Sequence, residues 1–183
     1  MDDLQSIQRL KRGDVSGLQD LVLRYQAKAI RAAFLITHDE QLAQDVAQDS
    51  FLRIYHRIRQ FDENRPFEPY LLRSVVNAAL DVAQERAKHI SFDNDLEQVE
   101  NLLSQAASIE TDVEYNQLKQ MIIAALSQIE PRQRAAIIQR YYLEMSEKEM
   151  SEVMKLPPGT VKWLLNQARS RLRELLSAEG SSK

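Results

Sequence analysis

Cysteine is absent from this 183-residue chain. That removes disulfide scaffolds, cysteine-ligated zinc sites and thiol nucleophiles. Glycine and proline are scarce, 4 and 5 residues, where ordinary usage would give roughly 22 together. Sheet-rich folds need more turn residues than this. No uninterrupted apolar run approaches the roughly 20 residues of a membrane helix, so no membrane insertion is expected. The opening Met-Asp-Asp-Leu-Gln is acidic and polar, unlike a secretory signal, and predicts a cytoplasmic chain. What is left is a mostly helical protein, long enough for one domain or two small ones. Its 24 Lys+Arg against 27 Asp+Glu give a net charge of −3, which by itself does not point to nucleic acid.

The charge is unevenly spread. Residues 1–90 carry 13 basic and 13 acidic residues, residues 91–118 carry 7 acidic and no basic ones, and residues 119–183 carry 11 basic and 7 acidic. The acidic stretch also lacks a sustained apolar stripe. It reads as a solvated linker, with a short helix near Leu96–Leu103. The expected architecture is therefore all-α, with two small helical domains, 1–90 and 112–183, joined by an acidic linker at 91–111.

Periodicity supplies the helices. The first runs from about Asp2 to Lys11 and stops at Gly13. Asp14 is placed to cap the second, whose apolar positions are Val15, Leu18, Leu21, Val22, Tyr25, Ile30 and Phe34. A third starts near Asp39 and turns Leu42, Val46, Ile54 and Ile58 inward, with Ala43, Ala47 and Ser50 beside them. Phe61 to Pro66 breaks the pattern as a loop. A fourth helix runs from about Phe67 toward Arg86, with Tyr70, Leu71, Ser74, Val75, Ala78 and Val82 on one side. These four make a bundle. In the second domain a helix over about Asp112–Ser127 directs Leu118, Ile122, Ala125 and Leu126 inward. Pro131 opens the next, which buries Ile137, Ile138 and Tyr141. Ser146 and Glu149 form a capping box for a short helix. After Leu156-Pro157-Pro158-Gly159, Thr160 is placed to cap a long last helix with Val161, Leu165, Ala168, Leu172 and Leu175 inward.

A short capped helix, a tight turn and a longer helix form a helix-turn-helix pattern. The outer face of the last helix carries Lys162, Asn166, Gln167, Arg169, Ser170, Arg171 and Arg173, with no acid between Thr160 and Glu174. Asn and Gln can pair with adenine edges in a major groove, and arginines can neutralise phosphates. A basic solvent face is the plainer alternative. Trp163 sits on or near this face, where it either touches DNA or packs on a partner or the other domain.

The second half closely resembles region 4 of bacterial sigma factors. The matching residues are Pro131, Arg134, Met145-Ser146, Glu149-Met150, Gly159-Thr160-Val161-Lys162, Ala168-Arg169 and Leu172-Arg173. The first half independently resembles sigma region 2, through Gln44-Asp45, Gln48-Asp49, Phe51 and Arg53, then Phe67, Tyr70-Leu71, Arg73, Asn77 and Asp81. Two such domains with nothing like region 3 between them resemble the extracytoplasmic-function (ECF) group of the sigma-70 family.

The resemblance implies a transcription initiation factor, not an enzyme, with no cofactor. It implies docking on core RNA polymerase through Asp45, Gln48, Asp49, Leu52 and Arg53. It implies opening and reading of the −10 promoter element through Phe61, Asp62, Asn64, Phe67, Tyr70, Arg73 and Asn77, by stacking and by amide contacts to unpaired bases. Core packing is the alternative for Phe61, Phe67 and Tyr70. It further implies −35 contacts by Thr160, Lys162, Trp163, Asn166, Gln167, Arg169 and Arg171, and an inhibitory anti-sigma factor as a partner.

The chain departs from the family pattern mildly at Ser151, where alanine is usual, and more in two other places. The arginine run that usually follows the position of Asp81 is reduced to Arg86 and Lys88, and Trp163, Leu164 and Gln167 replace the usual small or basic residues of the recognition helix. About four phosphate contacts give a salt slope of only about −3.6. Free protein should thus bind promoter DNA weakly and gain affinity by tethering to polymerase. Two rivals follow. One is a sigma-like helix-turn-helix regulator or interaction module that no longer initiates transcription. The other is a di-metal carboxylate enzyme, but His38, His56 and His89 lack an acid three residues before them, and Asp45 with Asp49 has no matching pair.

Overall fold

The structure is a computed structural model that describes residues 2–89 and 113–180. The acidic linker, with its expected short helix near Leu96–Leu103, lies outside the described residues. The described residues are helical without strands, as the scarcity of turn residues implies.

The first group comprises α1 (Asp3–Lys11), α2 (Ser16–Thr37), α3 (Glu40–Arg57) and α4 (Phe67–His89), with one 3₁₀ turn at Ile58–Gln60. Gly13 adopts φ +90° after α1, a conformation that ordinary side chains resist. The second helix starts at Ser16, not at Asp14, and Val15, ahead of it, is exposed instead of joining the inward stripe. Asp14 accepts a hydrogen bond from the Ser16 backbone N–H at 3.0 Å, which makes an Asx turn ahead of the helix. Gly17 then lets α2 approach α1: a Cβ there would run into the Ser6 carbonyl. Ion pairs Arg9–Asp20 and Arg24–Asp3 tie these two helices further. Asp39 caps α3 by accepting from the Leu42 N–H at 2.9 Å. Leu42 is only half-buried, while Phe51, on the same helix, is in the core.

The second group comprises α5 (Val113–Ser127), α6 (Pro131–Ile137), a π-helical turn (Ile138–Tyr142), α7 (Glu147–Met154) and α8 (Pro158–Gly180). Glu130 caps α6, accepting from the N–H groups of Arg132 and Gln133, and Pro131 takes the first helical position. Three expectations need correction here. Leu118 and Ile122 of α5 are exposed, and the inward side is Ile123, Ala125 and Leu126. Tyr141 is 58 % exposed. The π turn adds a residue to the helical repeat, so a spacing of three to four no longer returns Tyr141 to the side of Ile137 and Ile138. Thr160 is not the cap of α8, because the helix already begins at Pro158 and the Thr160 N–H bonds the Pro157 carbonyl. Proline at the first helical position suits that start.

The two groups share one apolar core. The fourth helix packs on α2 and α3, and on α6 and α7; α2 also meets α6 and the π turn. Accordingly α4 is apolar over more than half of its circumference: Leu71, Val75 and Ala78 are buried, and so are Leu72, Val76, Ala79, Leu80 and Ala83. A helix of that kind needs partners on both sides. At this seam His38 ends α2 in the left-handed conformation, φ 52°. Both its ring nitrogens are buried without partners. Burial, and then the nearby Arg134 guanidinium, lower its pKa to about 3. Arg134 is itself buried, its pKa lowered to about 10 by that burial; it donates from Nη1 to the Leu126 carbonyl at 3.4 Å, while its Nε has no partner. Gln139, fully buried in the π turn, has neither amide atom bonded.

Candidate polymerase and nucleic-acid surfaces

Along α3 the steps 45, 48, 49, 52 and 53 keep one helical face. Asp45, Gln48, Asp49, Leu52 and Arg53 are all exposed there, opposite the buried Val46, Ala47, Ser50 and Ile54. The Asp45 carboxylate accepts from Gln41 Nε2, four residues before it, at 3.2 Å. Leu52 is 44 % exposed between charged neighbours. A solvated carboxylate pair beside one apolar side chain can receive arginines and an apolar contact from a partner helix.

The second surface is the loop before α4 and the first turns of that helix. Helix α1 fixes the loop from below: Lys11 Nζ donates to the Phe61 carbonyl at 2.7 Å and pairs with Glu63 at 2.8 Å, and Gln8 Nε2 donates to Glu63 at 3.1 Å. Asp62 accepts from both the backbone and the amide of Asn64 at 3.0 Å. The backbone bond is the larger cause that holds the Asp62 carboxyl below the usual carboxylate range. Asn64 and Arg65 stay exposed.

Phe61 and Phe67 are corrected against the expectation of free stacking faces. They are buried at 5 % and 1 % exposure, in an aromatic cluster with Tyr70 and Tyr25. Phe61 lies 4.8 Å from Tyr70 and 5.9 Å from Phe67, and Tyr25 lies 5.7 Å from Phe67. The loop closes over the bundle end, and burying a phenylalanine side chain there is worth roughly 1.5–3 kcal/mol. Tyr70, at the rim, is half-buried, and Arg73 and Asn77 follow it at steps of three and four on the same face of α4. Arg73 is engaged by the second group of helices: its Nη2 donates to Glu152 Oε2 of α7 at 2.7 Å.

The third surface is the helix-turn-helix, α7 and α8. Ser146 and Glu149 close the expected capping box, and Ser146 is the main cause that lowers the Glu149 pKa. Lys155 ends α7 at φ 53°, and Ser151 Oγ donates to the Leu156 carbonyl at 2.5 Å, which fixes the turn. On α8, Val161, Leu164, Leu165 and Ala168 are buried and Leu172 and Leu175 half-buried. Leu164 adds to the inward stripe read from sequence. At 100° per residue, Lys162, Trp163, Asn166, Ser170 and Arg173 centre the opposite face, and all are exposed. Trp163 is 57 % exposed. Thr160 and Gln167 lie to one side, also exposed. Arg169 and Arg171 are not neighbours in space; they flank the polar face at opposite edges. Arg169 is held there, donating from Nε to the Tyr141 hydroxyl at 2.7 Å with its guanidinium 5.6 Å from the ring. This clamp was not legible from the sequence, because the π turn that exposes Tyr141 was not.

Among the described residues no helix is long and apolar enough to cross a membrane, and no three His, Cys, Asp or Glu side chains gather as a metal site. An exposed acidic face on α3, an aromatic-walled loop before α4 and a basic helix-turn-helix on one helical chain are the features of a nucleic-acid-binding protein. Comparisons with known proteins narrow the class. The family model "Sigma-70 region 2" matches residues 21–89, and "Sigma-70, region 4" matches residues 119–172. The chain is 27 % identical over 176 residues to the ECF RNA polymerase sigma factor SigW of Bacillus subtilis, covering 93 % of this chain and 94 % of that one. It is 28 % identical over 187 residues to the RNA polymerase sigma-H factor of Pseudomonas aeruginosa, covering 95 % and 93 %. Its fold resembles CnrH, solved in complex with the cytosolic domain of CnrY, at TM-score 0.66 and 22 % identity over 96 % of this chain and 97 % of that one. It also resembles the sigma factor RpoE of Bartonella quintana, solved with the anti-sigma factor NepR, at TM-score 0.61 and 19 % identity over 87 % and 96 %. The chain belongs to the sigma-70 family, in its ECF group, and is a transcription initiation factor, not an enzyme.

Proposed function

We propose that this chain acts in the cytoplasm, binds core RNA polymerase through Asp45, Gln48, Asp49, Leu52 and Arg53, and directs it to promoters. Residues 1–90 and 112–183 act as separate promoter-facing units joined by the linker at 91–111. Tyr70, Arg73 and Asn77, with the Asp62–Asn64 turn, capture the melted −10 strand: the tyrosine rim stacks on a base, the amide reads a base edge, and the arginine takes a phosphate. Phe61 and Phe67 serve as the packed wall behind Tyr70. Lys162, Asn166, Gln167 and Trp163 enter the −35 major groove, with Arg169 and Arg171 on the phosphates at either side. Trp163 brings an apolar surface to a thymine methyl or a sugar. The observation that supports this reading best is the order and spacing of the two family matches on one chain, each with its polar face exposed.

An anti-sigma factor fits the same reading, since the acidic α3 face is the surface such a partner would have to cover. Run-off transcription with core polymerase and genomic fragments tests the function. Transcripts from discrete start sites that appear only when this chain is added support it. Polymerase binding without any promoter-dependent transcript would favour a sigma-like regulator that no longer initiates.

A further inference from the structure

The π turn at Ile138–Tyr142 has a cost and a consequence. Its wide bond runs from the Leu143 N–H to the Ile138 carbonyl at 3.0 Å. It buries Gln139 with neither amide atom bonded, and buried amides without partners cost free energy. Turns of this kind are frequent at functional sites. The consequence is Tyr141, turned out of the core toward the edge of α8. The segment after it is fixed: Arg140 donates from Nη1 to the Met145 carbonyl at 2.8 Å, and the Met145 N–H bonds the Gln139 carbonyl at 2.9 Å. Tyr141 therefore meets Arg169 from a firm base. The two arginines at the edges of α8 are held in opposite ways. Arg171 pairs with Glu174 at 3.3 Å, which offsets its charge. Arg169 is held by a hydroxyl and a ring face, and among the described residues no carboxylate pairs with it. Lys162 and Arg173 stand on the same edge, seven residues before it and four after, so this is the cationic side of the helix. A tyrosine hydroxyl has one proton and two lone pairs. Accepting from Arg169 Nε leaves that proton to donate, and both Nη groups keep theirs; among the described residues none of them has an acceptor. A hydroxyl and a guanidinium so placed are a donor set that phosphate oxygens fit.

We propose that Tyr141 and Arg169 form one binding site for a backbone phosphate of duplex DNA at the edge of α8. The tyrosine holds the guanidinium and donates its own hydroxyl proton to the same phosphate. This deepens the −35 reading above and rests on it. Arg169 belongs to α8 and Tyr141 to the turn ahead of α7, so the phosphate is gripped from two elements at once. Such a contact carries no base information, but it fixes the orientation of α8 on the duplex, and with it the base edges that Asn166 and Gln167 reach. A free arginine would lose rotamer freedom on meeting the phosphate. The tyrosine removes that loss beforehand.

The experiment uses core polymerase with the full chain, on a promoter duplex recovered by run-off transcription. One phosphate at a time across the −35 element is replaced by an uncharged methylphosphonate, and binding is measured for the unmodified chain, Tyr141→Phe and Arg169→Ala. One position should weaken the unmodified chain by about three- to tenfold. At that position the penalty should vanish in Arg169→Ala and fall by at least about half in Tyr141→Phe, which keeps the ring and loses only the hydroxyl. On the unsubstituted duplex Tyr141→Phe should bind about two- to fivefold more weakly at an almost unchanged salt slope, because it removes no charge, whereas Arg169→Ala should lower the slope by about 0.9. Tyr141→Phe that binds like the unmodified chain, or that keeps the full penalty at the phosphate Arg169 reads, would overturn the shared site. So would a loss of affinity in Tyr141→Phe with every single-phosphate penalty unchanged, since the tyrosine would then act on the fold and not on a phosphate. If the unmodified chain with polymerase shows no penalty at any phosphate of the −35 element, the −35 reading fails and the phosphate site fails with it. A penalty lost in Arg169→Ala but not in Tyr141→Phe leaves the −35 reading standing and overturns the site alone.

Discussion

His38 makes the stability of this protein depend on pH in a direction and a window that can be calculated. Burial, reinforced by Arg134, lowers its pKa from 6.5 to about 3 in the folded chain. A group whose folded pKa is depressed binds fewer protons folded than unfolded. Its contribution is therefore complete above about pH 6.5 and is lost progressively as the pH falls toward about 3. The full shift corresponds to about 5 kcal/mol, and between about pH 7.5 and about pH 5 roughly 2 kcal/mol of it disappears. Protonation can be met by global unfolding or by parting the two helical groups, and both abolish the penalty. The variant to compare is His38→Asn, because asparagine tolerates the left-handed backbone at this position and does not titrate. Urea unfolding of both chains at several pH values should show the native protein losing about 2 kcal/mol more than the variant over that range. The carboxylates of Asp39 and Asp62, whose pKa values are lowered, add their own loss toward lower pH, but they do so equally in both chains. Parallel pH curves for the two proteins, or a His38 ring that titrates near 6.5 by NMR, would show that burial does not hold His38 neutral.

Ser146→Ala removes the Oγ that accepts from the Glu149 N–H at 3.3 Å and donates to its carboxylate at 2.6 Å; it should destabilise by about 1 kcal/mol, seen as a Tm lowered by roughly 2–4 °C. Gly17→Ala should also destabilise, by about 1–3 kcal/mol, although alanine is the better helix former by about 1 kcal/mol, because the new Cβ collides with the Ser6 carbonyl; a higher Tm would show that α1 can move away freely. Tyr70→Ala combined with Asn77→Ala should abolish promoter opening while leaving affinity for core polymerase within about twofold. Parallel loss of both would mean that these residues hold the bundle together.

The helices were legible where a cap or breaker coincided with periodicity: Asp39, Pro131, the Ser146–Glu149 box and Gly13 each act where the sequence places them. The start of α8 was misread because Pro158 serves as a first helical residue and Thr160 only resembles a cap. Tyr141 was misread because a π turn breaks a count that assumes 3.6 residues per turn. Leu118 and Ile122 were misread because periodicity finds a stripe but cannot say which of two weak stripes on α5 faces the core. For the sites, the exposed faces of α3 and α8 follow directly from helical spacing. The burial of Phe61 and Phe67 did not, since an aromatic next to a loop satisfies either packing or stacking until its neighbours are placed. The seam was not legible at all. Nothing local in His38 or Glu152 announces that the first lies near Arg134 and the second pairs with Arg73.

Whether this chain makes polymerase open DNA is read by permanganate probing of a promoter fragment with core polymerase, with and without the chain. Thymines over the −10 element should become reactive only when the chain is present, and should lose reactivity when the Tyr70→Ala/Asn77→Ala variant replaces it. A fragment that is bound by polymerase and this chain but stays unreactive throughout would contradict it.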